Sequence, residues 1–366
     1  MFDFRGSSAE LSLRSISFPV QEKALQISKY FPDNVYDFIS AYVDLSPVFT
    51  KIVDTSTKYE IDKIEYGECF NLVNLQRAND IRYLNKFFES INNKLPYEGL
   101  FIGCVETLEQ RKERIFRKYT PVGARAFYLI DFIYKRIFPK WNPTRKFYFT
   151  LTKGRNRALS KAEILGRLIS CGFEIVSLKE INGLLYFAAR NMEGPAYDFD
   201  PTYGPFVRLN RVGKNGKPIK VYKFRTMHPF AEYLQSYVFK LYDLKEGGKF
   251  NNDFRITKWG RWLRKFWLDE LPMIFNVIKG DLKLVGVRPL SPHYLSLYTE
   301  DHRNRRMDYR PGLIPPYYAD LPKTLTEIMD SEARYFDMYD KNAILADIKY
   351  LWLIFKNIVL KNARSS

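Results

Sequence analysis

The sequence predicts an α/β chain of two domains, divided between residues 195 and 196. At 366 residues, the chain is longer than most single domains. Helix-like and strand-like segments alternate along it, and a composition of 46% hydrophobic and 27% charged residues allows a packed core. Proline, glycine and acidic residues cluster in residues 193–203, a composition typical of a linker.

The charge balance favours anionic partners. Lysine and arginine outnumber aspartate and glutamate by 58 to 41, which gives a formal net charge of +17. Such an excess attracts nucleic acid, anionic lipid headgroups or phosphate-bearing substrates. Aromatic residues make up 16% of the chain, and a mixture of aromatic and basic residues also suits a membrane interface. Zinc-finger, ribonucleoprotein and basic helix-turn-helix motifs are missing, so we do not expect a nucleic-acid partner.

The cysteine and histidine content argues for a reducing compartment. Cys69, Cys104 and Cys171 form no closely spaced pair, which disfavours a disulfide framework and a cysteine zinc site. The first residues lack the basic and then apolar pattern of a signal peptide, and no apolar run reaches 18 residues. We therefore expect a cytoplasmic location.

Local patterns predict the elements of the first 195 residues. Apolar side chains at helical intervals predict a helix over residues 72–95, and residues 99–105 (GLFIGCV) predict a short buried strand. Ser160 and Glu163 have the spacing of a capping box, which predicts a helix that ends before Gly172. Residues 173–178 and 184–189 predict a hairpin across an Asn-Gly turn.

This order of helix, strand, Asn-Gly turn and strand resembles the C-terminal half of class I methyltransferases. The resemblance implies a Rossmann-like domain over residues 1–195. Those enzymes bind S-adenosylmethionine with a glycine-rich turn, and that turn is missing because only Gly6 and Gly67 precede Gly99. We expect a Rossmann-like domain without this cofactor; the alternative is a plain packing or docking domain.

A series of short motifs begins at Gly204. In order they are Gly204-Pro205-Phe206-Val207-Arg208, Tyr222-Lys223-Phe224-Arg225-Thr226, Arg255-x-Thr257-x-x-Gly260, Leu268-Asp269-Glu270-Leu271-Pro272, Lys279-Gly280-Asp281, Val287-Arg288-Pro289 and Arg310-Pro311-Gly312. This set, order and spacing resembles the bacterial sugar transferase family, the monotopic phosphoglycosyl transferases. The resemblance covers residues 196–366 and implies an α+β catalytic domain.

The resemblance also implies an activity. Members of the bacterial sugar transferase family transfer a phosphosugar from a nucleotide sugar to a polyprenyl phosphate. This transfer initiates surface polysaccharide or glycolipid synthesis at the cytoplasmic membrane face. We expect a UDP-sugar donor, undecaprenyl phosphate as acceptor and partner glycosyltransferases. The alternative is a non-catalytic relative that binds a nucleotide sugar or a partner glycosyltransferase.

Carboxylates are the candidate catalytic groups. A carboxylate can attack the β-phosphorus and form a covalent phosphosugar–enzyme, while Mg²⁺ neutralises phosphate oxygens. The resemblance implies an acidic pair just before Arg255, where this chain keeps only Asp253, so we expect Asp253 as nucleophile or metal ligand. Asp269 and Glu270 are further catalytic candidates, and Glu270 is a second candidate ligand for Mg²⁺. The alternative for these two is an ion pair with Arg264.

Basic side chains are the candidate phosphate ligands. Asn215-Gly216 predicts a hairpin turn, and alternation along its second strand places Lys223 and Arg225 on one face. Arginine suits phosphate because its guanidinium can donate two hydrogen bonds at once. The expected substrate-binding residues are Lys223, Arg225, Arg255, Arg264, Arg288 and Pro289. A solvated basic hairpin is the alternative.

Membrane contact is expected through surface segments. The family's catalytic domain begins with an apolar helix that dips into the inner leaflet, but residues 127–138 are too short for this and carry Asp131, Lys135 and Arg136. Residues 258–267 and 348–360 combine aromatic or aliphatic side chains with basic ones, so they either pack in the core or adhere to the membrane. We expect peripheral attachment to the inner face of the cytoplasmic membrane.

Overall fold

A computed structural model describes residues 32–46, 48–197, 203–241, 244–245, 249–250 and 253–361. By compactness the chain divides into two units. The first contains Met1–Glu106 and Phe173–Gly194, and the second contains Thr107–Gly172 and Pro195–Ser366. Residues 107–172 are thus inserted between two parts of the first unit, and they group with the C-terminal part of the chain. The predicted division at residue 195 stays a prediction.

The first unit is built on a five-stranded sheet of order β1-β2-β3-β5-β4. Its strands are β1 (Thr50–Val53), β2 (Asn71–Arg77), β3 (Leu100–Val105), β4 (Phe173–Ile181) and β5 (Leu184–Asn191). β1, β2 and β3 are parallel, and β5 runs antiparallel to both β3 and β4. The helices of this unit are Asp33–Ser40, Lys58–Asp62 and Leu84–Lys94, with a 3₁₀ turn at Ala78–Asp80. Parallel strands joined by helices confirm the predicted Rossmann-like α/β fold.

Two sequence predictions in this unit meet different outcomes. The hairpin across Asn182-Gly183 is confirmed, with positive φ at both turn residues. The helix over residues 72–95 is wrong in its first part, because β2 occupies Asn71–Arg77 and the helix begins only at Leu84. The first four residues of β2 are all buried, so this strand shows no polar–apolar alternation, and its leucines happen to repeat at a helical interval.

The inserted segment of the second unit is helical. It contains the helices Leu108–Lys118, Pro121–Phe132, Asn142–Thr152 and Lys161–Ser170. A π-helical turn (Ile133–Ile137) and a 3₁₀ turn (Phe138–Lys140) separate the second helix from the third. The predicted helix start is confirmed, since Ser160 Oγ accepts a hydrogen bond from the backbone N–H of Glu163. Gly172 follows the helix with φ +86°, as a left-handed stop requires.

Glu163 does not close a capping box but lies in a buried ion cluster. Its side chain is fully buried and accepts hydrogen bonds from Arg136, from Lys140 at 2.5 Å and from Arg167 at 2.9 Å. Burial opposes its ionisation, yet these three cations hold the pKa of Glu163 well below its usual range. His228 joins the cluster, with Nδ1 3.3 Å from a guanidinium nitrogen of Arg136. The cluster therefore fastens the inserted segment to the segment that follows Gly204.

The rest of the second unit combines short strands with helices. The strands are β6 (Phe206–Val212), β7 (Pro218–Phe224), β8 (Leu244–Lys245), β9 (Lys249–Phe250), β10 (Lys283–Val285) and β11 (Gly312–Ile314). The α-helices are Gln235–Leu241, Lys258–Lys265, Ile274–Ile278, Pro292–Ser296, Glu300–Met307, Tyr317–Asp320, Leu325–Lys341 and Ala343–Lys361. In the described parts of the chain, no helix has the length and apolar character needed to cross a membrane.

Candidate active site

The β6–β7 hairpin carries the first cations of the site. Asn215 and Gly216 have φ values of 58° and 71°, as the predicted primed turn requires. In the antiparallel register Arg211 lies opposite Ile219. Residues directly opposite each other share a face, and so do residues two apart along a strand. Arg211 and Lys223 therefore lie on the same face of the hairpin.

The Arg255-x-Thr257-x-x-Gly260 motif joins a helix to the end of this hairpin. Thr257 Oγ1 accepts from the backbone N–H of Gly260 at 2.8 Å, which caps the helix Lys258–Lys265. The same hydroxyl donates to the backbone carbonyl of Thr226 at 3.1 Å. A Cβ on Gly260 would lie 1.9 Å from that carbonyl oxygen, so only glycine allows this approach. The threonine and glycine of the motif are thus explained by packing.

Asn276 fixes β7 against the following helix. Its side chain is fully buried, accepts from the backbone N–H of Tyr222 at 3.0 Å and donates to the carbonyl of Lys220 at 2.8 Å. It also donates to the carboxylate of Asp281 at 3.1 Å. These bonds hold the strand that carries Lys223 at a fixed distance from the turn that carries the acidic pair.

A basic pocket with an empty volume of about 370 Å³ lies beside the hairpin. It is lined by Arg211, Val221, Lys223, Glu270, Met273, Arg288, Pro289, Leu313, Pro315, Tyr317 and Tyr318. Burial and the like charge of Arg288 lower the pKa of Arg211. Three cations face one carboxylate here, and two like-charged guanidinium groups held close together are stabilised by a bound anion. The pocket is therefore suited to phosphate.

The acidic pair lies in the 3₁₀ turn Leu268–Met273. Glu270 lines the pocket and accepts from Lys223 Nζ at 2.5 Å. Asp269 is 7% exposed, and its Oδ1 is buried without a hydrogen-bond partner. Burial raises the pKa of Asp269, with the charge of Glu270 acting in the same direction and the charges of Lys223 and Arg264 opposing it. Asp269 is therefore a buried carboxylate of raised pKa, with one oxygen free of hydrogen bonds, and it directly precedes the pocket residue Glu270 in the chain.

Asp253 has a different environment. Arg255 donates to both of its carboxylate oxygens, at 2.9 Å and 2.7 Å for the shortest contact to each. Although burial disfavours its charged form, the hydrogen bonds from Arg255 outweigh burial and lower the pKa of Asp253. A carboxylate held in this way is a weak nucleophile and offers a metal little free charge.

An apolar groove adjoins the basic pocket. It is lined by Trp267, Glu270, Leu271, Ile274, Leu313, Ile314, Tyr318, Leu351, Ile354 and Phe355. Glu270, Leu313 and Tyr318 line the groove and the basic pocket alike. The two cavities therefore share a wall.

The structure separates the predicted substrate-binding residues into two groups. Lys223, Arg288 and Pro289 line the basic pocket. Arg225, Arg255 and Arg264 contact protein groups: Arg225 Nε donates to the carbonyl of Gly204 at 2.8 Å, Arg255 binds Asp253, and Arg264 Nε donates to Thr226 Oγ1 at 3.0 Å. Whether these residues bind substrate stays a prediction.

Three lining residues with polar side chains were not among the predicted site residues: Arg211, Tyr317 and Tyr318. The strand register with Ile219 is the signal that could have placed Arg211 beside Lys223. The tyrosines carried no such signal, because they reach the pocket through the packing of the helix Tyr317–Asp320. The Tyr317 hydroxyl lies 3.4 Å from a guanidinium nitrogen of Arg288.

A magnesium ion fits this site only together with a phosphate ligand. Among the described residues, no three His, Cys, Asp or Glu side chains are grouped to hold a metal. Mg²⁺ is, however, commonly held by one or two carboxylates plus substrate phosphates. The Asp269–Glu270 pair, with the unpartnered oxygen of Asp269, meets that pattern. Asp253, the other predicted metal ligand, has both oxygens engaged by Arg255.

Comparisons with known proteins give the site a family. Galactosyl transferase CpsE of Streptococcus agalactiae is 34% identical over 156 residues, which is 41% of this chain and 34% of that protein. Undecaprenyl-phosphate galactose phosphotransferase of Salmonella typhimurium is 43% identical over 96 residues, which is 25% of this chain and 20% of that protein. The chain thus spans about a third or less of these relatives.

A solved structure is also similar to part of the chain. It is a putative methyltransferase from Bacillus halodurans, 8% identical, with a TM-score of 0.26, covering 47% of this chain and 98% of that one.

The family model described as bacterial sugar transferase matches residues 196–361, which contain every residue that lines the basic pocket. The C-terminal part of the chain, residues 196–361, is thus similar to the bacterial sugar transferase family.

Proposed function

We propose that this chain transfers a sugar phosphate from a nucleotide sugar, with UDP as the expected nucleotide, to a polyprenyl phosphate. The observation that carries the proposal is the basic pocket of Arg211, Lys223 and Arg288, with Glu270 in its lining and the buried Asp269 directly before Glu270 in the chain. Similarity to the undecaprenyl-phosphate galactose phosphotransferase of Salmonella typhimurium supports the same reaction class.

The pocket cations bind the diphosphate of the donor. Arg211 and Arg288 donate paired hydrogen bonds to phosphate oxygens, and Lys223 contributes a third positive charge. Binding an anion between Arg211 and Arg288 relieves the like-charge repulsion that contributes to the lowered pKa of Arg211.

Asp269 is the proposed nucleophile. Its carboxylate oxygen attacks the β-phosphorus, the bond from that phosphorus to the bridging oxygen breaks, and the nucleoside monophosphate leaves with this oxygen. An oxygen of the polyprenyl phosphate then attacks the phosphorus of the phosphosugar–enzyme, which restores the carboxylate. The raised pKa of Asp269 makes it a stronger base than Asp253, whose pKa is lowered by Arg255.

Glu270 holds Lys223 in place and is the proposed ligand for Mg²⁺, whereas Asp269 is the nucleophile. A bound Mg²⁺ would neutralise charge on the donor's phosphate oxygens. Lys223 remains paired to Glu270 before the donor arrives, so the pocket cation is oriented in advance.

Exposed apolar faces support peripheral membrane attachment, which we propose for the cytoplasmic side. On the helix Lys258–Lys265 and just after it, Trp259, Trp262 and Phe266 are 72%, 50% and 51% exposed. Such side chains beside lysine and arginine suit the headgroup layer. Trp267 instead lines the apolar groove.

The inserted segment offers a second apolar face. Its charges argued against membrane contact, but Asp131 is paired with Arg111 and Arg136 with Glu163. Its exposed apolar side chains include Val122, Phe127, Leu129, Ile130, Ile133, Ile137, Trp141, Phe147 and Leu151. Exposed basic side chains such as Arg125, Arg145 and Lys146 lie in the same segment, and a mixture of apolar and basic side chains suits the headgroup layer.

The test is a direct assay. The protein is incubated with Mg²⁺, a panel of UDP-sugars and undecaprenyl phosphate in detergent, and released UMP is measured. UMP release that depends on the acceptor is the expected result. Nucleotide-sugar binding without UMP release would instead support a non-catalytic relative that binds the donor or a partner glycosyltransferase.

A further inference from the structure

The apolar groove is assembled from three parts of the second unit. The first part is the turn Leu268–Met273 with its flanking residues, which supplies Trp267, Leu271 and Ile274. The second is β11, with Leu313 and Ile314, and the third is the helix Ala343–Lys361, with Leu351, Ile354 and Phe355. Ile354 is 1% exposed and forms the floor, whereas Leu271, Ile274 and Phe355 are 48%, 45% and 58% exposed. The groove is therefore a built cavity with an open outer end.

Its position limits what can occupy it. The inner end meets the basic pocket at Glu270, Leu313 and Tyr318, so a ligand that fills both cavities carries an anion at one end and hydrocarbon directly beyond it. A nucleotide sugar has no hydrocarbon to place there.

We propose that this groove binds the first isoprene units of the acceptor lipid, with the acceptor phosphate in the basic pocket. The proposal rests on the proposed function and names the subsite that selects its acceptor. Once the nucleoside monophosphate has left, charge complementarity places the acceptor phosphate beside Arg211 and Arg288, and continuity of the two cavities places its hydrocarbon chain in the groove. The phosphate then arrives next to the acidic pair, where the phosphosugar is handed over.

The outer end of the groove continues on an exposed apolar surface. Ile274 lines the groove, and Phe275 and Ile278 on the same short helix are 62% and 76% exposed. The remaining isoprene units leave the protein over this surface. Part of residues 348–360, predicted as either core or membrane contact, thus has a third role as a wall for the lipid chain.

The experiment compares matched leucine variants of the intact chain. Leu351→Gln changes the groove wall, and Leu345→Gln changes an exposed leucine on the same helix that does not line the groove. Leucine and glutamine have similar helix propensities, so the helix itself is not disturbed. Farnesyl phosphate and, as a phosphate without a chain, glycerol phosphate are the probes. Binding is measured by equilibrium dialysis, and donor chemistry by exchange of labelled UMP into the UDP-sugar without acceptor.

Unmodified protein and Leu345→Gln are each expected to bind farnesyl phosphate at least about tenfold more tightly than they bind glycerol phosphate. They are also expected to bind farnesyl phosphate at least about tenfold more tightly than Leu351→Gln binds it, a difference in binding free energy of about 1.4 kcal/mol. The rate at which labelled UMP exchanges into the UDP-sugar is expected to stay within twofold of the rate of the unmodified protein in both variants. Equal farnesyl phosphate binding by Leu351→Gln and Leu345→Gln overturns the groove assignment, even if exchange is normal. Weak binding by Leu351→Gln with no exchange in any protein supports the groove and overturns the proposed function. If Leu351→Gln shows no cooperative thermal unfolding, the same comparison is made with Ile274→Gln, because the Ile274 side chain is 45% exposed.

Discussion

Replacing Glu163 by Gln removes the only carboxylate that accepts hydrogen bonds from Arg136, Lys140 and Arg167 in the described cluster. Removing one partner of a buried ion pair generally costs about 3–5 kcal/mol, because a charge is left buried and uncompensated. Burial, followed by the charge of Arg136, holds the pKa of Lys140 well below its ordinary value. Lys140 can therefore lose its proton in the variant, which favours the lower end, about 3 kcal/mol.

Calorimetry measures this loss. One kcal/mol shifts the midpoint of a 150–250-residue domain by about 2–4 °C, so a loss of about 3 kcal/mol predicts a midpoint lower by about 6–12 °C. Asp337→Asn is the matched control, because its exposed pair with Arg305 contributes about 1 kcal/mol or less. A thermal unfolding midpoint for Glu163→Gln within 2 °C of the Asp337→Asn midpoint would refute a stabilising role for the Glu163 ion cluster.

The stability difference between unmodified protein and Glu163→Gln is expected to depend on pH. The pKa of Glu163 is depressed in the folded protein relative to its ordinary value of 4.5. Its contribution is therefore fully present above about pH 4.5 and is lost as pH falls through the depressed folded value. Because Lys140 loses its proton in Glu163→Gln, rising pH stabilises this variant more than the unmodified protein. The stability difference is therefore expected to be larger at pH 6 than at pH 8, and to narrow in acid as Glu163 of the unmodified protein is protonated.

Further predictions concern packing, donor binding and the membrane. Gly260→Ala is expected to destabilise the protein by about 1–3 kcal/mol, because its Cβ would lie 1.9 Å from a backbone oxygen; unchanged urea unfolding would contradict this. Arg211→Lys and Arg288→Lys are expected to weaken UDP-sugar binding about tenfold in calorimetric titration, since each loses a two-pronged donor; unaltered affinity in both would give these arginines a structural role. Trp259→Ser with Trp262→Ser is expected to reduce sedimentation with anionic liposomes while circular dichroism stays constant, and full sedimentation of the folded variant would move the contact to another apolar face.

The sequence predicted the elements that depend on local chemistry. The Asn215-Gly216 turn needs positive φ at both positions, and the Ser160 cap needs only a neighbouring backbone N–H, so both could be recognised from short motifs. The helix predicted over residues 72–95 failed at β2, because a strand buried on both sides carries no alternating pattern.

The roles of the acidic residues could not be assigned from spacing alone. Asp253 stood in the stretch where an acidic pair was expected, but its partner Arg255 is only two residues away and takes both oxygens. Asp269 is distinguished by burial and by an oxygen without a partner, and both depend on the packing of the turn Leu268–Met273. Only tertiary structure provides that information.

The central claim is that Asp269, and not Asp253, forms the bond to the phosphosugar. Intact-protein mass spectrometry tests it most directly, after incubation of unmodified protein, Asp253→Asn and Asp269→Asn with Mg²⁺ and UDP-sugars in the absence of acceptor. Thermal melts confirm that both variants are folded. A sugar-phosphate mass increment and released UMP are expected for unmodified protein and for Asp253→Asn, and neither is expected for Asp269→Asn. A mass increment on folded Asp269→Asn, or loss of the increment in folded Asp253→Asn alone, would contradict the assignment of Asp269 as the nucleophile.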